Sequence, residues 1–255
     1  MAPLGSSAKI RSDRMNKTKD KTVLITGALG GIGRAIAIEF AKQGANLILH
    51  YKDTDEADAD KFGKSLGVRF QAIRADFADE QQILELAEKA GPVDILVNCA
   101  GIVFDRDFND ITLDEFNQVL KVNLIAPFVL SRALGKKMFE NKYGKIVNIA
   151  STNGTHTLYP ETLDYDASKS AVISLTKNLA KQFAPFVNVN AVAPGWVNTP
   201  MNKGLPPEFV KEEIQRISLG RFAEPEEIAK IVRFLCSDDA SYIDGATIIA
   251  DGQTI

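Results

Sequence analysis

Residues 22–33, TVLITGALGGIG, constrain this 255-residue chain more than any other stretch. A short run rich in β-branched and aliphatic side chains stops at Gly27, as a buried parallel strand does. A glycine-rich turn follows. Ile32, Ile36 and Phe40 then recur every four residues, the spacing of a helix packed on a sheet, and Gly44 ends it. Strand, glycine turn and helix together give a glycine fingerprint its weight. Gly27 suits the tight turn, small residues around Gly30, Gly31 and Ile32 let backbone approach a pyrophosphate, and Gly33 permits close helix–strand contact. The helix N-terminus then offers free N–H groups and a positive dipole end to phosphates. A structural turn is the alternative; after the first strand of an alternating βα chain, the dinucleotide reading is preferred.

Residues 46–51 read as the second strand, whose end meets the adenosine ribose in sheets of this kind. It closes on His50, Tyr51 and Lys52, with no carboxylate before Asp53. Lys52 can pair with a 2′-phosphate, so NADP(H) is expected ahead of NAD(H); a solvated loop charge is the alternative. His50 reads as a strand residue rather than a base. Acidic residues 53–60 open a helix ending near Gly67, and 68–74 form the third strand. Asp76 then lies where a carboxylate can accept from an adenine amino group. A helix over 79–90 and a strand over 93–97 lead into the small-residue turn Asn98, Cys99, Ala100, Gly101, at a strand end where open α/β sheets bind ligands. Cys99 reads as packing. Residues 113–137 read as one long helix containing Asn123 and Pro127, with a kink because Pro127 has no N–H for the Asn123 carbonyl. Residues 145–150 form the fifth strand, and Ser151 stands at its end. A helix over about 164–183, a sixth strand over 187–193, a mobile lid over 201–221, a helix opened by Pro225 and a last strand over 246–250 complete the pattern. The pattern is that of a single alternating α/β domain over 21–255, with no internal repeat and no linker between domains.

Tyr165 and Lys169 are four apart on a predicted helix and share a face. A nearby ammonium favours the phenolate and lowers a pKa that is otherwise about 10. Such a phenol can exchange a proton with an alcohol near neutral pH. Ser151 lacks a G-x-S-x-G setting, so it reads as a hydrogen-bonding group for a substrate oxygen rather than a hydrolase nucleophile. The polar loop 152–163 beside it is expected to shape the pocket.

With 45% hydrophobic and 25% charged residues and a net charge of −3, the chain is an ordinary globule with no basic run for nucleic acid or membrane. Its two cysteines suggest a reducing compartment without disulfides, and no metal-ligand spacing is present. No apolar run reaches the roughly 18 residues that span a bilayer. Residues 1–20 are polar and basic, and disorder is expected there. Met15 reads as the natural start, with 1–14 an expression remnant; a weak transit peptide is the alternative. The expected location is therefore cytoplasmic, or organellar if 1–14 are native.

Taken in order, Thr26–Gly33, Asp76, Asn98 to Gly101, Asn123, Ser151, Tyr165-x-x-x-Lys169 and Pro194-Gly195 resemble the short-chain dehydrogenase/reductase family over residues 20–255. The resemblance implies a single Rossmann-type domain, an α/β doubly wound parallel sheet of about seven strands with helices on both faces, and a homotetramer. It implies Tyr165 as general acid/base, Lys169 on the nicotinamide ribose, Ser151 orienting the substrate carbonyl and Asn123 holding a relay water. The cofactor would meet Gly27, Gly30, Gly31, Ile32, Gly33, Tyr51, Lys52, Asp76, Phe77, Asn98, Ala100, Gly101, Tyr165, Lys169, Pro194 and Gly195, with Val197 and Thr199 at the carboxamide. Within the family, Tyr51-Lys52 and the segments 219–222 and 225–229 are most similar to 3-oxoacyl-(acyl-carrier-protein) reductases. That similarity implies reduction of an acyl thioester in fatty acid synthesis, with acyl carrier protein as a partner. Gly30 stands where NADPH-using members often carry a basic residue, which leaves Lys52 as the 2′-phosphate candidate. The turn at 184–186 lacks the basic residue that docks the carrier, and Lys142 is the other docking cation. A dehydrogenase of a small alcohol, sugar or steroid is the second reading. A non-catalytic dinucleotide-binding protein is the third, and the presence of both Tyr165 and Lys169 speaks against it.

Overall fold

A computed structural model describes residues 18–254. Most of the tail expected to be disordered, 1–17, lies outside these residues. Residues 18–20 form a turn in which Asp20 N–H donates to the Gly44 carbonyl at 3.0 Å.

Seven strands form one parallel sheet: β1 (Thr22–Ile25), β2 (Asn46–Tyr51), β3 (Phe70–Arg74), β4 (Ile95–Asn98), β5 (Gly144–Ile149), β6 (Val187–Pro194) and β7 (Thr247–Ala250). Their order is β3-β2-β1-β4-β5-β6-β7. The chain first winds outward from β1 through β2 to β3, then crosses back to β4. The reversal leaves a crevice beyond the C-terminal ends of β1 and β4. Register runs straight across it, with Leu24 opposite both Ile48 and Leu96.

Strand alternation sends side chains to two helical layers. Val23, Ile25, Leu47 and Val147 pack with Ile36 and Phe40 of α1 (Gly31–Lys42), and with Ile228 and Val232 of the last helix, Pro225–Leu235. Leu24, Ile48, Leu96 and Ile146 pack on the other face. Their partners come from α3 (Glu80–Ala90), α5 (Ala126–Glu140) and α6 (Leu163–Phe183). Between these lie α2 (Glu56–Ser65), α4 (Leu113–Leu120) and α7 (Pro207–Arg216), which makes the last helix α8. Asp55 and Asp79 cap α2 and α3 through their carboxylates, and Thr112 and Glu115 form a capping box on α4. Pro225 opens α8 at a position where its missing N–H has no partner to lose.

The helix expected over 113–137 is two helices joined by a π turn, Lys121–Ile125. The amide of Ala126 reaches back five residues to the Lys121 carbonyl. This shift of register places Pro127 in the first turn of α5, where proline is tolerated. The strain expected at proline is thus taken up one turn earlier, around Asn123. Among the described residues, no helix is long and apolar enough to cross a membrane, and no group of three or more His, Cys, Asp or Glu side chains could hold a metal ion.

Candidate active site

The crevice is built from the ends of β1, β2, β3 and β4. Gly27 takes a left-handed conformation, φ +64°, which only glycine adopts without strain. Thr26 Oγ1 accepts from the amides of Cys99 and Ala100 at 2.9 and 3.0 Å, tying the glycine turn to the turn after β4. A Cβ at Gly33 would come within 2.1 Å of the Gly27 carbonyl oxygen, and one at Gly31 within 2.6 Å of Thr199. The α1 N-terminus has no side-chain cap and no acidic residue in its first turn. A glycine cradle open to backbone approach and an uncapped helix end fit a dinucleotide pyrophosphate.

His50 is buried beneath this turn. Its Nδ1 accepts from the Gly27 amide at 3.1 Å, and its Nε2 lies 3.0 Å from the Ala75 carbonyl. A carbonyl only accepts, so Nε2 carries the proton. The ring stacks flat on Phe77, 4.2 Å between centroids. Burial holds the imidazole down at about 4, although the Ala75 hydrogen bond and Asp76 oppose that shift. His50 therefore links the glycine turn to the segment carrying Asp76 and Phe77, with the Phe77 ring turned inward. Asp76 accepts from the Ala78 amide at 2.9 Å, and its other oxygen lies 3.4 Å from Lys52 Nζ. Tyr51 is buried, and the Lys52 carbonyl accepts from Arg74 Nε at 2.9 Å.

Asn98 differs from its expected place in the cofactor set. β4 continues through it, and alternation turns its side chain, like that of Leu96, toward α5 and α6. Its Nδ2 donates to Asn148 Oδ1 at 2.8 Å and to Ser131 Oγ at 3.2 Å, and Asn148 donates to Thr176. The Asn98 side chain is thus part of a buried polar ladder and does not face the crevice.

Ser151, Tyr165 and Lys169 converge beside that crevice. Lys169 Nζ lies 5.3 Å from the centre of the Tyr165 ring and donates to the Ile149 carbonyl at 2.8 Å. A Cβ at Gly101 would stand 3.5 Å from the same ammonium, which puts the β4 turn and the α6 pair at one place. Ser151 Oγ bonds Asn153, donating to its Oδ1 at 3.1 Å and accepting its backbone amide at 3.2 Å, and is the neighbouring hydroxyl that favours the Tyr165 phenolate. The expected lowering of the Tyr165 pKa is not what these groups produce. Burial pushes the phenol up to about 12; the Ser151 hydrogen bond opposes this, and the Asp166 charge adds to it. Burial also brings Lys169 down to about 8. Asn123 spends its side chain on the Ile102 backbone and on Ser168 Oγ, with contacts of 2.9 to 3.1 Å. Cys99 is inert packing, its thiol raised by burial to about 12.

Pro194 and Gly195 close β6, and a Cβ at Gly195 would meet Asp251 at 2.9 Å. Val197 is buried and bridges to Ala223. Across the mouth of the site lies α7. Its Glu213, 2% exposed, accepts from Tyr159 Oη and Trp196 Nε1, each at 2.7 Å, and from Arg216 at 2.8 Å. Trp196 also stacks on Phe222 and meets Tyr159 and Phe209 edge-on. Four groups lie outside the sequence-based candidates: His50 as a structural link, Asn153, Asp166 and Glu213. Their only sequence signal is polarity in segments that otherwise read as turns, strand or helix surface.

Fold and site together define a Rossmann-type dinucleotide-binding protein with a Ser–Tyr–Lys centre. A family model described as enoyl-(acyl carrier protein) reductase matches residues 27–252. A 3-oxoacyl-(acyl-carrier-protein) reductase of Aquifex aeolicus is 38% identical over 243 residues, covering 92% of this chain and 98% of the relative. The chain belongs to the short-chain dehydrogenase/reductase family and is an NAD(P)-dependent oxidoreductase. Among solved structures, a candidate NAD(P)-dependent gluconate 5-dehydrogenase from Beutenbergia cavernae, with bound NADP, superposes with a TM-score of 0.87. It is 38% identical, with 93% of this chain and 97% of that one covered. A 3-oxoacyl-(acyl-carrier protein) reductase from Brucella melitensis with bound NAD gives 0.85 at 32% identity, with 100% and 96% covered.

Proposed function

We propose that the protein reduces a carbonyl to a secondary alcohol, with a 3-oxoacyl thioester as substrate and NADPH as reductant. The observation that carries this reading is the convergence of Ser151, Tyr165 and Lys169 beside the glycine crevice. When bound, a nicotinamide dinucleotide supplies hydride to the carbonyl carbon. The chain's own groups handle the oxygen. A phenol near 12 is protonated at neutral pH, so Tyr165 holds the proton that the carbonyl oxygen must receive. Ser151 orients that oxygen, and Lys169 holds the nicotinamide ribose and supports the phenolate left behind. A water at Asn123, whose carbonyl receives no N–H from Pro127, returns a proton through Lys169. The remaining cofactor contacts are the glycine turn, Asp76 and the backbone near Phe77, Ala100, Gly101, Pro194, Gly195, Val197 and Thr199.

The acyl-thioester substrate is supported by the Aquifex relative, and an exposed Lys142 after α5 can meet an acidic carrier. The Beutenbergia neighbour supports the second reading, a dehydrogenase of a small alcohol or sugar acid. Initial rates with acetoacetyl-CoA, run with NADPH and NADH in parallel, separate the two. Fast NADPH-dependent turnover is expected; no turnover alongside oxidation of a sugar acid would establish the second reading. We place the enzyme in the cytoplasm as a homotetramer, with 201–221 as its lid.

The preference for NADPH rests on Lys52. Its pairing with Asp76 is between half-exposed groups, 41% and 37% accessible, and exposed pairs contribute only about 0–1 kcal/mol. A 2′-phosphate can therefore draw the ammonium away. Lys52→Ala is expected to raise the Kd for NADPH about tenfold, roughly one charge-assisted hydrogen bond, and to leave that for NADH within about twofold. Titration of both cofactors by fluorescence checks this; equal losses would argue against a phosphate contact.

A further inference from the structure

Behind Ser151 lies a chain of hydrogen bonds in which every donor is assigned. Asp166, on the turn of α6 after Tyr165, is buried, and its carboxylate only accepts. It receives the Tyr159 amide at 3.2 Å, the Thr162 hydroxyl at 3.0 Å and Asn153 Nδ2 at 2.7 Å. With Nδ2 committed to a carboxylate, the Asn153 amide cannot flip, and its Oδ1 must face Ser151. Ser151 Oγ donates to that oxygen at 3.1 Å and accepts the Asn153 backbone amide at 3.2 Å. Ser151 is also the hydrogen-bonding neighbour that favours the Tyr165 phenolate. One serine proton therefore has two possible acceptors, Asn153 on one side and Tyr165 on the other.

We propose that Asn153, aimed by Asp166, is a positioning residue that holds the Ser151 proton away from Tyr165. Ser151 then accepts from the phenol before proton transfer and donates to the tyrosine oxygen, or to the substrate oxygen, after it. The proton count balances: Tyr165 gives one proton to the substrate oxygen, and the Ser151 hydroxyl turns without losing its own. The inference rests on the proposed roles of Ser151 and Tyr165 and adds the group that sets the serine rotor. The charged and titratable groups facing Tyr165 are Lys169 and Asp166 on its own helix and Cys99 from the turn after β4.

Three variants test it, read as kcat for whichever carbonyl the enzyme reduces best from a panel headed by acetoacetyl-CoA. Asn153→Leu keeps the branched shape and removes both the acceptor facing Ser151 and the donor to Asp166. It is expected to lower kcat about tenfold, one net hydrogen bond, with KM within about twofold. It should also move the alkaline limb of the pH profile to lower pH, because the phenol form loses the partner that parks the serine proton. Asn153→Asp sets two carboxylates in contact, so one binds a proton at low pH and the pair repels once it is lost. Its kcat is expected to fall as pH rises. The exchange Asn153→Asp with Asp166→Asn restores one donor–acceptor link, now donated from position 166 to position 153, keeps an acceptor facing Ser151 at unchanged net charge, and kcat should return to within about threefold of wild type. Wild-type kcat in Asn153→Leu, or an exchange variant no faster than Asn153→Asp, overturns the proposal. Tyr165→Phe run alongside tests the underlying site. If it matched wild type, or if no carbonyl were reduced, the assignment of Ser151 and Tyr165 would fail first and this inference with it.

Discussion

Replacing Tyr165 with Phe is expected to lower turnover by about 10²–10⁴-fold, the range for losing a positioned general acid, and to leave cofactor affinity within about twofold. The ring is half-buried, and phenylalanine keeps its packing. What disappears is the hydroxyl proposed to carry the proton. Lys169 keeps its anchor on the Ile149 carbonyl, so the ribose side of the site is unaltered. Pre-steady-state turnover against equilibrium cofactor binding separates the two effects. Turnover equal to wild type would remove Tyr165 from the acid/base role. Reduction is also expected to persist well above pH 8 before the phenol ionises, because burial holds it near 12. Oxidation of an alcohol needs the phenolate and should accelerate over the same range.

The second large effect concerns stability. His50 is held at about 4 in the folded chain against an ordinary value of about 6.5. A base whose folded pKa is depressed binds fewer protons than the unfolded chain between those two values. Stability is therefore complete above pH 6.5 and falls as the pH drops toward 4, with a slope near 1.4 kcal/mol per unit and a total of about 3 kcal/mol. Protonation would also remove the acceptor of the Gly27 amide, so the glycine turn is the part that yields. His50→Gln cannot titrate, and its urea-unfolding free energy should fall less between pH 7 and pH 4 by about that amount. Parallel pH dependences in the two proteins would show that His50 does not carry the effect. Carboxylates that titrate in the same window are common to both and cancel in the comparison.

Much of this arrangement can be read from the chain. Strands 46–51 and 187–194, the glycine turn and the four-residue spacing of Tyr165 and Lys169 depend on local periodicity, which sequence displays directly. The π turn at 121–125 does not, because a helix can absorb a proline by changing register without any change in its apolar spacing. The direction of Asn98 is hidden for a related reason: its polarity falls on the last residue of β4, where strand alternation sends the side chain to the helical layer. The direction of the Tyr165 shift followed burial, a property of the whole fold, rather than the nearby lysine. Asn153 and Asp166 are thirteen positions apart, each ordinary in a turn or a first helical turn, and only the folding of 152–163 onto α6 pairs them. Glu213 belongs to a helix that looks solvated until Tyr159 and Trp196 close over it.

That glutamate gives the mouth of the site a shared hinge pin. Tyr159 belongs to the wall beside Ser151, Trp196 to the segment leaving β6, and Glu213 to the covering helix. One carboxylate oxygen fastens both aromatic side chains, so movement of the proposed lid would have to release the wall. Were the proposed lid to open, both sides of the doorway would part in a single event. A lineage that widened the opening for a bulkier substrate would have to alter both jambs together, or cut the pin.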